Sequence, residues 1–476
     1  MFVRRIEDDQ LAQVSYLIGC QRTGEAMVVD PERDIDRYIE LAAKQGLTIV
    51  AATETHIHAD FISGLREFGE RGDTLLLMSG EGGDDWTPRW LDQHSSGGSY
   101  NHQLLKDGET FSIGNIEFKV VHTPGHTPEH ISFLVTDHGG GADMPMAILS
   151  GDFLFVGDLG RPDLLESAAG QEGAMEPSAK RLFQSIQLID GMKDYLQVWP
   201  GHGAGSACGK ALGAVPTSTV GYEKRFNQAL FFSDDEDRFV KEILSGQPEP
   251  PLYFSDMKRL NRDGAPVIGE ITTPAEMDED SFVTAYEGGA RVIDTREWDQ
   301  FRQAHLPGSW SVPMTSRLNS YVGSFGDPQD RFVIVGSEPA VAEVVRRMIR
   351  IGFDKTIGWF PADKLPGLSR FDGLWEQIEE VPSQDVHTVI ESEDVRVLDV
   401  RRASEFDDDH IPGAINLSHT RLARHVDEIS PETNWHVVCE TGDRSGRTVS
   451  FLQSLGYSVV NLAGGMANVR NGRVAR

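Results

Sequence analysis

The chain has 476 residues, a length that suits about three domains. Asp and Glu number 74 against 44 Lys and Arg, a formal net charge of −30, and a surface this acidic repels phosphate backbones and anionic headgroups, so neither nucleic acid nor a membrane is expected as a partner. Three Cys make no disulfide framework and fit a reducing compartment. The start MFVRRIEDDQLAQ has no apolar signal core and no apolar run approaches the ~18 residues of a membrane span, so a cytoplasmic location is expected.

Up to about residue 250, short β-rich runs recur: SYLIG at 15–19, AMVVD at 26–30, TIVAAT at 48–53, FKVVHT at 118–123, AILSGD at 147–152 and QVWPGH at 197–202. Helical stretches such as RDIDRYIELAAKQG lie between them, which predicts an α/β domain over 1–250. SGQPEPPLYF at 245–254 reads as a linker, and EEVPSQDVHT at 379–388 as a second break. Two further small α/β domains are expected at 265–372 and 381–476, because the segment VIDTREWDQFRQAHLPGS recurs as VLDVRRASEFDDDHIPGA about a hundred residues later. Both copies carry D-x-R, an aromatic and H-[LI]-P-G at equal spacing, and each continues into an apolar strand, a loop and a helix.

In the first domain the strand ends carry chemistry. Thr55-His56-Ile57-His58-Ala59-Asp60-Phe61 follows TIVAAT, and TPGHTPEH with His126 follows FKVVHT. Asp152 closes AILSGD and His202 follows VWP. Ends of neighbouring strands converge on one sheet edge, and nearby Gly lets an ion approach the backbone. His94, His102, His122 and His138 read as surface or packing residues, and His130 stays open between packing and function. Cys20 reads as packing, and so does Cys208, a sulfur relay being the other reading for the latter.

This order of motifs resembles the metallo-β-lactamase fold, an αββα sandwich, whose hydrolases carry T-H-x-H-x-D-H and two metals. Here the last position is Phe61, which cannot ligate, so one metal is expected, with Asp60 and His202 left as a vestigial second position. Two His and one carboxylate on one face of an ion suit non-haem Fe(II). The matching subfamily is the persulfide dioxygenases. That resemblance places Fe(II), one per chain, on His56, His126 and Asp152, with His58 orienting a water or a ligand carboxylate. In GDLGRPDL, Arg161 and Asp163 match the subfamily's G-R-x-D segment and are expected at the substrate, the guanidinium holding an anionic thiol substrate's carboxylate.

In the last domain HVVCETGDRSGRTVSFLQSLG places Cys439 at a strand end, with a tight loop of Glu440, Thr441, Gly442, Asp443, Arg444 and Ser445 before a helix. Inward N–H groups, the helix N-terminus and the Arg444 charge stabilise a thiolate or persulfide anion there. C-x-x-G-x-R-S, with the upstream D-x-R and H-I-P-G-A-I-N and the downstream N-L-A-G-G-M, resembles the rhodanese family. This implies that Cys439 is the sulfur-carrying nucleophile, assisted by Arg444. The first copy has Val335 at the thiol's place and Ala340 at the place of Arg444, so it is expected to be silent, a scaffold or dimerisation element.

Together these resemblances imply a persulfide dioxygenase fused to a sulfurtransferase, acting on a low-molecular-weight thiol persulfide, O₂ and sulfite or thiosulfate, in a homo-oligomer (dimer or tetramer). The alternative is a dinuclear zinc thioesterase of the glyoxalase II type with an attached sulfurtransferase.

Overall fold

Strand residues point alternately to the two faces of a sheet, and the first strands are apolar on both faces, so each sheet must be covered twice. The computed structural model, which describes residues 1–315, 317–392 and 394–474, resolves how. It divides into two compact units, Met1–Ile271 and Thr272–Arg476.

In the first unit, β1 (Phe2–Asp8), β2 (Gln13–Cys20), β3 (Glu25–Val29), β4 (Thr48–Thr53), β5 (Leu75–Ser79) and β6 (His102–Leu105) form one sheet in that order, antiparallel at its start and parallel from β3 on. The second sheet runs from β7 (Thr110–Ile113) through β8 (Ile116–His122), β9 (Ile131–Asp137), β10 (Ala147–Gly151) and β11 (Gln197–Pro200) to β12 (Ser218–Thr219). Val14, Tyr16, Ile18, Met27 and Val29 of the first sheet meet Phe118, Val120, Phe133, Val135 and Leu149 of the second in one core. The outer faces bury Leu17, Val28 and Ala52 under the helices that carry Tyr38 and Phe68, and Ile148 and Val198 under those that carry Leu182, Ile186 and Phe239. This is the αββα sandwich.

The unit continues past the edge expected at 250. The Pro-rich run ends in buried Tyr253, and the helix Phe254–Asp263 buries Phe254, Met257 and Asn261 on one face. The end of the segment read as a linker thus runs into a packed helix whose three buried positions recur at helical spacing.

The second unit holds two wholly parallel sheets. One has the order β14 (Trp310–Ser311), β13 (Arg291–Asp294), β15 (Phe332–Gly336), β16 (Thr356–Pro361). The other runs β17 (Glu379–Val381), β21 (Val459–Leu462), β20 (Trp435–Val438), β18 (Arg396–Asp399), β19 (Ile415–Asn416). The repeat is visible atom by atom. Arg296 Nε and Nη2 donate to Asp294 at 3.0 and 2.7 Å, and Arg401 donates to Asp399 with the same two distances. His305 stacks on Phe301 and His410 on Phe406, both at 4.1 Å. Among the described residues no helix is long and apolar enough to cross a membrane.

Candidate metal centre and sulfur-transfer loop

The ligand loop starts where β4 ends. Asp30, at the end of β3 with φ 51°, accepts from the Thr55 N–H at 2.6 Å and from the Thr55 hydroxyl at 3.1 Å. With its proton given to Asp30, Thr55 Oγ1 accepts from His56 Nδ1 at 2.9 Å, which leaves Nε2 as the free lone pair. His126 Nδ1 donates to the Arg161 carbonyl at 2.9 Å and likewise keeps Nε2 free. Asp152 follows Gly151, whose φ is 49° and where a Cβ would come within 2.5 Å of Thr55 Oγ1, so only glycine brings the carboxylate here.

Asp152 Oδ2 lies 3.5 Å from His126 Nε2 and 3.9 Å from His56 Nε2. Donors ~2.1 Å from a shared ion at angles of roughly 90–120° stand about 3.0–3.6 Å apart, close to these separations. His126 Nε2 and Asp152 Oδ2 are buried without a hydrogen-bond partner among the described residues. Orphaned lone pairs aimed at one point are the mark of an ion site, so these three side chains fit a metal. Burial, reinforced by the neighbouring histidines, holds His56 well below the usual histidine range, and burial also lowers His126, so both are neutral ligands.

Beside this site, Asp60, His202 and Cys208 form a second group whose ligand atoms lie within 4.8 Å of one another. His202 donates from Nδ1 to Asp152 Oδ1 at 2.8 Å and from Nε2 to Asp60 Oδ2 at 2.9 Å. Burial would depress this imidazole, but the charges of Asp152 and Asp60 outweigh it and raise His202 well above its ordinary value. His202 thus spans the two carboxylates. Phe61, fully buried, stacks on His58 at 4.2 Å. His58 Nε2 lies 3.3 Å from Asp30, so it faces that carboxylate, where the sequence had led to the expectation that it orients a water or a ligand carboxylate.

The substrate role expected of Arg161 and Asp163 needs correction. Arg161 is 1% exposed and its donors are engaged: Nε and Nη2 with Asp163 at 2.8 and 2.6 Å, Nη1 with the carbonyls of Ala207 and Pro248 at 2.9 and 2.7 Å. Neither it nor Asp163 is free to hold a substrate; the pair ties three loops together. Cys208 is buried, as its packing reading requires, with its sulfur within 4.8 Å of ligand atoms of Asp60 and His202, and burial pushes its thiol up to about 12.

His130, left open by the sequence, is fully buried, stacks on His56 at 5.0 Å and accepts the Asp152 N–H at 3.0 Å. Sequence reading missed Asp30, and it missed Asn261, whose amide donates to the carbonyls of His58 and Phe61, both at 2.9 Å.

In the second unit Cys439 is fully buried at the end of β20. The Gly442 N–H points at its sulfur at 3.1 Å and the Ser445 hydroxyl at 3.5 Å, ahead of the helix Asp443–Ser454. Gly442 has φ 96°, which lets the loop fold its N–H inward. Met466 and Ala467 donate to the carbonyls of Cys439 and Glu440, so the G-G-M turn braces the loop from behind. Glu440 pairs with Arg401 and Arg470, Asp443 with Arg447, and Thr441 is exposed. Arg444 departs from expectation. Its guanidinium is held by Glu405 through two bonds of 2.7 Å, so its charge is largely spent on that carboxylate. Burial alone would raise Glu405, yet Arg444 lowers it to about 2. Val335, at the thiol's place in the first copy, is a buried strand residue, as expected of a loop without a nucleophile.

A fold of two stacked sheets with a three-ligand candidate ion site at one end, followed by parallel α/β sheets with a buried cysteine in an anion cradle, is that of a metal-binding enzyme with a second, cysteine-bearing α/β unit. The Metallo-beta-lactamase superfamily profile matches residues 8–202 and the Rhodanese-like domain profile residues 383–471. A metallo-beta-lactamase from Staphylococcus aureus of known structure is 38% identical, with a TM-score of 0.66, the match covering 76% of this chain and 99% of that one. The chain belongs to the metallo-beta-lactamase superfamily and carries a C-terminal rhodanese-like domain.

Among curated relatives, a hydroxyacylglutathione hydrolase of Xylella fastidiosa is 29% identical over 253 residues, 52% of this chain and 80% of that one. The mitochondrial persulfide dioxygenase ETHE1 of Bos taurus is 25% identical over 245 residues, 51% and 80% respectively. The chain spans only about half the length of the beta-lactamase hydrolase-like proteins it also matches, 53% in the Xylella fastidiosa case.

Proposed function

We propose that the protein oxidises a low-molecular-weight thiol persulfide with O₂ at a single Fe(II) and passes sulfane sulfur through Cys439. The observation that carries this reading is Phe61 where the dinuclear hydrolases carry a histidine, together with His202 bridging Asp152 and Asp60. A dinuclear zinc thioesterase needs two well-held ions to make its hydroxide, and a phenyl ring ligates neither. The ETHE1 relative supports the dioxygenase reading, while the hydrolase relative keeps the thioesterase as the alternative to test.

His56, His126 and Asp152 would hold the ion. When bound, Fe(II) supplies activation of O₂ beside the terminal sulfur, chemistry that side chains lack. The overall step balances as RSSH + O₂ + H₂O giving RSH and H₂SO₃. Thr55 and the Arg161 carbonyl keep the two imidazoles neutral and aimed, and the His202 imidazolium keeps Asp152 ionised. At the second site the Cys439 thiolate takes the terminal sulfur from a persulfide and releases the thiol. Sulfite then attacks the outer sulfur of the Cys439 persulfide, releasing thiosulfate and the thiolate. The Gly442 N–H and Ser445 hydroxyl stabilise the anion at each stage.

A cytoplasmic location and a dimer or tetramer complete the proposal, and small molecules, not nucleic acid or membrane, are its partners. The test is anaerobic purification, iron and zinc quantification, and O₂ uptake with a panel of persulfides. Zinc at two ions per chain and no O₂ uptake would establish the alternative. In a second assay Cys439→Ser should raise the ratio of sulfite to thiosulfate; an unchanged ratio removes the coupling between the sites.

A further inference from the structure

The first copy of the repeat has no nucleophile, yet within the second unit it lies against the helix that follows the cysteine loop. The helix Asp443–Ser454 turns one stripe towards it, Asp443, Arg447, Ser450 and Ser454, at helical spacing. Each member of the stripe has a partner from the first copy. Ser454 Oγ accepts from Trp310 Nε1 at 3.1 Å, and Ser450 Oγ accepts from the Ser311 N–H at 3.0 Å. Arg447 Nη1 donates to Ser311 Oγ at 2.6 Å, while its guanidinium stands over the Trp298 ring, 5.2 Å from the centre. Asp443 Oδ2 accepts from the Tyr321 hydroxyl at 3.4 Å.

At Asp443 the stripe meets the chemistry. This residue directly follows Gly442, whose N–H points at the Cys439 sulfur. Its Oδ1 takes Arg447 Nη2 at 3.1 Å. The first copy thus holds the carboxylate from two sides, directly through Tyr321 and, by way of Arg447, through Ser311. With its side chain 54% exposed, Asp443 owes its orientation to these bonds rather than to packing. Holding it fixes the first turn of the helix, and with that turn the direction of the Gly442 N–H. Tyr321 is buried, and burial raises it above the ordinary phenol range, so the hydroxyl keeps its proton to donate.

We propose that Tyr321 and Ser311 of the silent copy are positioning residues of the sulfur-transfer site, holding Asp443 so that the cradle around Cys439 keeps its shape as sulfur arrives and leaves. The inference rests on the sulfur-transfer reading. It gives the copy without a cysteine a part in the reaction of its neighbour, exerted through one carboxylate.

The experiment is a single turnover of the full chain without O₂. Protein loaded with the persulfide of 2-mercaptoethanol and freed of excess is mixed with sulfite. Sulfite attacks the outer sulfur of the Cys439 persulfide, the sulfur–sulfur bond breaks, and thiosulfate leaves as the thiolate is restored. Thiosulfate is followed against sulfite concentration, with Cys439→Ser as the blank. Tyr321→Phe, which keeps the ring, and Ser311→Ala should each lower the limiting rate roughly fivefold, with half-saturation by sulfite within about twofold of wild type. Asp443→Ala removes the shared partner, so adding either substitution to it should change the rate by less than about twofold, whereas a merely structural role would persist in that background. A wild-type limiting rate in either single variant, or losses that persist beside Asp443→Ala, overturns the inference alone. Wild type that forms no thiosulfate above the blank overturns the sulfur-transfer reading.

Discussion

The bridge made by His202 can be weighed by removing it. His202→Ala leaves Asp152 and Asp60, both about 1–3% exposed on their side chains, without the cation that each now holds at 2.8–2.9 Å. Breaking a buried pair from one side costs about 3–5 kcal/mol, because the charge left behind is uncompensated. For a unit of this size each kcal/mol moves the transition by roughly 2–4 °C, so metal-free His202→Ala should melt on the order of 10 °C below wild type. His202→Asn keeps one amide near the Nδ1 position, hence the Asp152 contact but not the Asp60 contact, and should fall between the two. A divalent ion beside Asp152 replaces part of the lost positive charge, so loading with iron should reduce the deficit to about half. The assay is thermal unfolding of chelated and iron-loaded protein at pH 7.5, read on the transition of the first unit. A deficit below ~2 °C in the metal-free protein, or one that iron does not change, would refute the reasoning.

Three further outcomes are expected. Phe61→His should leave iron at one per chain by elemental analysis, because His58 stays on Asp30 and His202 still fills the space between Asp60 and Asp152. Arg161→Met strands the buried Asp163 carboxylate and frees the carbonyls of Ala207 and Pro248, so it should cost about 3–5 kcal/mol in urea unfolding and lower iron content, while KM for persulfide stays within twofold. Glu405→Gln should flatten the acid limb of the second unit's stability. A carboxyl depressed from 4.5 to about 2 contributes stability that is complete above pH 4.5 and lost as pH falls through about 2, so the variant should differ from wild type near neutrality and converge with it by pH 2 in far-ultraviolet circular dichroism.

The parts legible in the sequence were those written in contiguous stretches. His56, His126 and Asp152 each sit just beyond an apolar run, but they meet across the two sheets, His56 after β4 of the first and His126 and Asp152 after β8 and β10 of the second, rather than on the single edge expected. Cys439 and its loop were readable for the same reason, and the tandem D-x-R and H-[LI]-P-G segments fold into matching hydrogen bonds because equal spacing imposes equal turns. What stayed hidden was set by contacts far apart in the chain. Asp30, Glu405 and Asn261 are ordinary polar residues until the fold brings them to Thr55, Arg444 and the His58 carbonyl. Arg161 misled because a guanidinium near a site reads as a clamp, and nothing local says that its donors are consumed by Asp163, Ala207 and Pro248. The prolines before Tyr253 suggested a tether, and the buried face behind them became visible only once packed.

The amide of Asn261 fixes an order of assembly. A growing chain that has left the ribosome as far as His202 already holds all three metal ligands, yet the backbone between His58 and Phe61 lacks the clamp that stops it from wandering. Iron offered at that moment meets a loose chelate. Only when translation has passed residue 261 does the last helix of the unit dock and the chelate become rigid. On this architecture a rigid ion site follows the docking of that helix, which the chain can reach before its second unit is made.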